Sequence, residues 1–102
     1  MPAIHVAFHD QGPLVALKGA LVLGDGTAHL LHVIGWLVDS GERHVMIDLH
    51  EVHTVDSSGL AKLILCHERL RATGGDLGLL RPGNQLRRML CKTRLSAVLR
   101  IG

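Results

Sequence analysis

The sequence predicts an α/β fold, a mixed and mostly parallel β-sheet with an N-terminal antiparallel hairpin and with its helices packed on one side. Three observations lead there. Ile4, Val6 and Phe8 alternate with His5, Ala7 and His9, the period-two signature of a strand with one wet face. The turn signal "DQGP" then separates this strand from a second, "LVALKG", which makes the opening a hairpin. Beyond the hairpin, apolar residues fall three times into helical spacing, with short aliphatic runs between. Strands separated by single helices imply parallel neighbours joined by right-handed crossovers.

Each element has its own signal. After the hairpin, "LVLGDGTAHLLHVIGWLVDSGER" holds two glycines at 24 and 26, and Asp25 or Thr27 is a candidate cap for a helix reaching about Ser40. Leu30, Ile34, Leu37 and Val38 share one face of it. "RHVMIDLHEV" follows, with Val45 to Leu49 apolar apart from Asp48, as expected of an interior strand. A second helix runs from about Ser57 to Ala72, with Leu60, Leu63, Ile64, His67 and Leu70 recurring at helical spacing. Gly74 and Gly75 end it, and "DLGLL" supplies the next strand. "RPGNQLRRMLCKT" forms a third helix, with Asn84 as the expected cap and Leu86, Met89 and Leu90 turned inward. "AVLRI" is a short last strand or a frayed end. No internal repeat, linker or low-complexity tract interrupts the order, so residues 1–102 are expected to form a single domain.

Composition narrows the function classes. The chain is 47% hydrophobic and 20% charged, which suits a packed globule, and its formal charge of +2 is close to neutral. Aromatics are confined to Phe8 and Trp36, so the stacking platforms of single-stranded nucleic-acid binders are missing and no direct nucleic-acid contact is expected. Arg81, Arg87, Arg88, Lys92, Arg94 and Arg100 make the C-terminal fifth basic, which reads as a solvated face. Cys66 and Cys91 have no paired spacing; both are expected as small buried groups in a reducing compartment. The N-terminus lacks a secretory pattern, and no apolar run approaches the ~20 residues of a membrane span. A cytoplasmic location follows as the expectation.

Motifs for catalysis are thin. There is no G-x-x-x-x-G-K-[ST] loop, and "GDGTAH" carries two of the three glycines of a dinucleotide turn, so no cofactor is expected. "DSSGL" departs from G-x-S-x-G, and a serine nucleophile would need a base in reach; His50 and His53 are near only in sequence. Of the eight histidines, His29 and His32 stand at i, i+3 on a helix, and His50-Glu51-Val52-His53 lacks one residue of a zinc-helix motif, so surface histidines rather than metal ligands are expected. The chain is accordingly expected not to be an enzyme.

The stretch "HTVDSSGLAKLIL", residues 53–65, stands out. Asp56 or Ser57 is placed to cap the second helix, worth about 1 kcal/mol. A cap explains one polar residue and leaves Ser-Ser-Gly unexplained; Gly59 is expected to keep the first turn uncluttered, with the hydroxyls accessible. A phosphoryl group there would bring about −1.5 to −2 charge to a helix N-terminus, which favours an anion, while a docked partner would be repelled.

The run from Val45 to Leu95 resembles the core of a STAS domain, in particular of the bacterial anti-sigma factor antagonists. Asp48-Leu49, Asp56-Ser57-Ser58-Gly59-Leu60, Gly74-Gly75, Leu77 to Leu80 and Thr93-Arg94-Leu95 match the family pattern in order. The resemblance implies a partner-switching cycle. The unmodified protein binds an anti-sigma factor that is also a serine kinase, which frees a sigma factor for transcription. The kinase phosphorylates the first serine of the motif, here Ser57, and the modified form lets go until a serine phosphatase resets it. Asp56, Ser58, Gly59 and Asp25 are the expected partner surface around the switch. Where family members carry Gly-Glu-Leu-Asp, this chain has "GALVLGDGT": Ala20 and Val22 replace the two acids, and Asp25 is the candidate for the lost carboxylate. A final helix common in the family is not expected after Ile101.

The alternative within the same fold is a non-switching scaffold subunit of a lipid-transport or stress-sensing complex, in which "DSSG" is only a cap. The outer side of the first helix, around Leu31 and Trp36, is more apolar than a lone domain needs, and is the expected face for a homodimer or second interface.

Overall fold

The computed structural model describes residues 3–22, 27–93 and 99–101. Five strands lie in the sheet in their chain order: β1 (Ala3–His9), β2 (Gly12–Leu21), β3 (His44–Val55), β4 (Asp76–Leu80) and β5 (Arg100–Ile101). β1 runs antiparallel to β2, and the later pairs are parallel. The helices α1 (Thr27–Asp39), α2 (Ser57–Arg71) and α3 (Asn84–Lys92) are the crossovers. Strands added in one direction through crossovers of the usual right hand bring every helix to the same face of the sheet, and the buried side chains of all three helices share one core.

Burial follows that geometry. Val15 and Leu17 on β2, Val45, Ile47 and Leu49 on β3, and Leu77 and Leu79 on β4 alternate along their strands and are buried. Opposite them lie Leu30, Ile34 and Leu37 of α1, Leu60, Leu63, Cys66 and Leu70 of α2, and Leu86 and Leu90 of α3. At about 25 cal/mol per Å² of apolar surface withdrawn from water, this aliphatic layer is the main stabilising term. α2 ends in a left-handed glycine, Gly74 at φ 85°, a conformation the missing Cβ makes inexpensive.

Several expectations are corrected. β3 does not end at Val52 with the stretch "RHVMIDLHEV" but continues to Val55, because β2 also extends and the pairing persists through Lys18↔Glu51, Gly19↔Val52, Ala20↔Thr54 and Leu21↔Val55. Asn84 is not the cap of α3. The N-cap position is Gly83, in extended backbone with no side-chain cap bond, and Asn84 is already helical. Cys66 is buried but Cys91 is exposed, since it lies on the side of α3 away from Leu86 and Leu90. His67 is buried on the apolar face of α2 where its spacing with Leu63 and Leu70 puts it, and the other seven histidines are exposed. Leu31 is partly buried against the core and not on the outer side of α1. Trp36 does face outward, 56% exposed, and meets Phe8, 60% exposed, edge to face at 6.2 Å between ring centroids. Among the described residues no helix is long and apolar enough to cross a membrane.

Candidate functional site

The turn between β3 and α2 is built from four hydrogen bonds. Asp56, in extended backbone at φ −105°, is the N-cap: its Oδ1 accepts the Gly59 amide at 2.9 Å, and its carbonyl accepts the Leu60 amide at 3.0 Å. Its own amide donates to the Leu21 carbonyl at the end of β2, at 3.3 Å. On the other side, the amide of Val55 donates to the Gln85 side-chain oxygen at 3.1 Å, which ties the end of β3 to the first turn of α3. The turn is therefore held from β2 by a main-chain bond and from α3 by the Gln85 side chain.

Asp56, not Ser57, takes the cap. Ser57 is the first residue of α2, exposed, and among the described residues nothing hydrogen-bonds its hydroxyl; Ser58 follows it half-buried. The first turn carries no acidic side chain of its own, so the unpaired amides of the helix start keep their preference for an anion.

Gly59 has a different reason from the one its sequence context suggests. It is buried, and a Cβ there would stand 2.0 Å from the Leu21 carbonyl oxygen. The glycine lets α2 start directly against the end of β2. Asp25, the remaining member of the expected partner surface, lies outside the described residues.

The histidines near this turn do not form a site with it. His50 borders a hollow together with Lys18, Asp48 and Arg81, whereas His53 lines a recess against Gly83, Asn84 and Gln85. Among the described residues, neither bonds to Ser57, and no group of three or more His, Cys, Asp or Glu side chains converges as a metal set would. Burial pushes the Cys66 thiol up to about 12, so it is held as the neutral form.

Two positioning residues were not singled out as such in the sequence. Arg81 follows β4 at φ 51° and pairs with Asp48, whose other oxygen accepts the His50 amide at 3.0 Å. Burial alone would raise the Asp48 carboxyl; the hydrogen bonds from Arg81 and His50 and the positive charge beside it prevail and hold it below its ordinary value. Gln85, which steadies Val55, is the other. Both act across more than 25 positions of chain, and nothing local marks them.

A family model described as STAS domain matches residues 5–102. None of the curated proteins compared with the chain matches it. Among solved structures, an anti-sigma factor antagonist from Mycobacterium paratuberculosis is 27% identical, with a TM-score of 0.80 over 99% of this chain and 85% of that one. The Bacillus cell fate determinant SpoIIAA in its phosphorylated form is 18% identical, with a TM-score of 0.78 over 98% of this chain and 91% of that one. The anti-sigma factor antagonist SpoIIAA in its unphosphorylated form is 19% identical, with a TM-score of 0.72 over 85% of this chain and 80% of that one. With five strands in STAS-like order, three helices on one face and a family match across nearly all its length, the chain belongs to the STAS domain family.

Proposed function

We propose that the protein is an anti-sigma factor antagonist, switched by phosphorylation of Ser57. Its unmodified form binds an anti-sigma factor with serine-kinase activity in the cytoplasm, modification by that kinase releases it, and a serine phosphatase restores it. The observation that carries this reading is the division of labour at the turn. Asp56 supplies the cap, so the neighbouring exposed hydroxyl of Ser57 has no structural duty and can be modified without dismantling α2. A phosphoryl group there gains from the helix start and stands next to the Asp56 carboxylate, which concentrates negative charge on the surface a partner would meet.

The similar structures support the same direction. One bears the function in its name, and another, SpoIIAA, is a phosphorylated protein. In this reading Asp56 and Ser58 flank the modified residue on the partner surface, with Asp25 contributing from the loop after β2. Gly59 acts from beneath by letting α2 start against the Leu21 carbonyl. The protein is a substrate and a switch, with no catalytic residues or cofactor of its own.

The exposed Phe8–Trp36 pair is the second surface of this reading, a homodimer contact through α1. Sedimentation of the wild type and of Trp36→Glu tests it, with one species at monomer mass in both as the contrary result.

The test of the switch is to incubate the protein with a serine kinase of the anti-sigma type from the same organism and ATP, and to locate phosphate by mass spectrometry. Phosphate on Ser57 is expected. Its absence, or its placement on Ser58, contradicts the assignment.

A further inference from the structure

The crossovers that gather all three helices on one face leave the other face of the sheet bare, and it holds a hollow of about 290 Å³. Small side chains make its floor: Ala3, and Ala16, which the strand register sets between His5 on β1 and Asp48 on β3. Its wall comes from an irregularity. While β2 advances from Ala16 to Lys18, its partner positions on β3 jump from Asp48 to Glu51, so His50 and Glu51 stand at the rim where a regular ladder would offer one residue.

Two cations, Arg81 and Lys18, and two carboxylates, Asp48 and Glu51, line the hollow, and the cations carry more donors than the carboxylates take up. Arg81 is the one described non-glycine residue with a positive φ, 51°, and that backbone directs its guanidinium over the hollow onto Asp48. Asp48 is satisfied on both oxygens, by Arg81 and by the His50 amide, and takes a single terminal nitrogen of the guanidinium. The Arg81 side chain is still 58% exposed, so a planar group with five N–H donors keeps most of them for a further acceptor. Lys18 sits across the floor and, among the described residues, is held by an exposed contact to Glu51 at 3.5 Å.

We propose that this hollow is a binding site for a compact organic dianion, a sugar phosphate or a dicarboxylate, anchored by Arg81 and met by Lys18. The size is at the lower end of ligand pockets and suits a small metabolite rather than a macromolecule. A guanidinium held by one carboxylate is pre-organised to accept a second anion side by side, and an alanine floor lets the ligand approach the sheet. The site shares no lining residue with the turn at Ser57 and does not rest on the phosphoswitch.

The test is a backbone amide NMR titration of the full chain with ribose 5-phosphate and, separately, with succinate, each against sodium chloride at equal ionic strength. At least one probe is expected to move the amides of Ala16, Lys18, His50, Glu51 and Arg81 to saturation; which one does so fixes the anion class. Lys18→Gln, at an exposed position, is expected to weaken that binding about tenfold with the rest of the spectrum unchanged. Arg81→Lys keeps a cation for Asp48 but loses the fork, and is expected to weaken it at least as much. Absence of saturable shifts with both probes overturns the proposal. So do shifts that survive both substitutions, or shifts that centre on the amides of Ser58 and Gly59.

Discussion

The guanidinium of Arg81 closes on the carboxylate of Asp48, 33 residues earlier, and so joins the turn after β4 to the irregular stretch of β3. That pair links two places where the chain departs from regular geometry, the left-handed Arg81 and the slipped register beyond Asp48. Because the folded carboxyl is held below its ordinary value, its contribution to stability is present above the unfolded pKa of about 4 and is lost as pH falls through the folded one. Urea unfolding of the wild type at a series of pH values should show stability falling below about pH 4. Asp48→Asn should flatten part of that fall and cost about 1–3 kcal/mol at neutral pH, since an amide cannot replace a charged acceptor.

Asp56 and Ser57 are adjacent and should behave differently. Asp56→Ala removes the bond to the Gly59 amide and should cost about 1 kcal/mol, whereas Ser57→Ala should stay within about 0.5 kcal/mol of the wild type. Chemical denaturation of the two variants checks this. A larger loss from Ser57→Ala than from Asp56→Ala would transfer the capping role and weaken the argument that Ser57 is spare.

Gly59→Ala should be far worse than its size suggests. The added methyl would meet the Leu21 carbonyl, a backbone atom that cannot rotate away, so α2 must shift from β2 at a cost of about 1–3 kcal/mol. The thermal midpoint measures it. Unchanged stability would mean that the close approach of Leu21 is not maintained in solution.

The two thiols should separate cleanly. Cys91 is exposed and should be alkylated in the native protein, while Cys66, buried and with its thiol pushed up to about 12, should react only on unfolding. Intact-mass analysis after iodoacetamide treatment should therefore show one adduct natively and two in denaturant.

How much of this was legible in the sequence depends on the range of the interactions. The hairpin, the three crossover helices and the inward faces of α1 and α2 follow from periodicity and turn residues, which are local. The cap was narrowed to Asp56 or Ser57, and only backbone geometry decides between neighbours. Gly59 stands out in the sequence for a reason that the fold replaces, because the close approach of Leu21 joins residues 38 positions apart. The length of β3 depends on how far β2 pairs with it, Asn84 on a helix start displaced by one residue, and Cys91 on which side of α3 meets the core. Arg81 and Gln85 read as parts of a basic, polar helix region; their partners, Asp48 and Val55, were supplied by the topology.

The most direct test of the account is to prepare the protein fully phosphorylated on Ser57, confirm an unchanged melting curve, and titrate it and the unmodified form into the serine-kinase anti-sigma factor by calorimetry. The account predicts binding by the unmodified protein and an affinity at least about tenfold lower for the phosphorylated one, the equivalent of about 1.4 kcal/mol. Equal affinities for the two forms would contradict it.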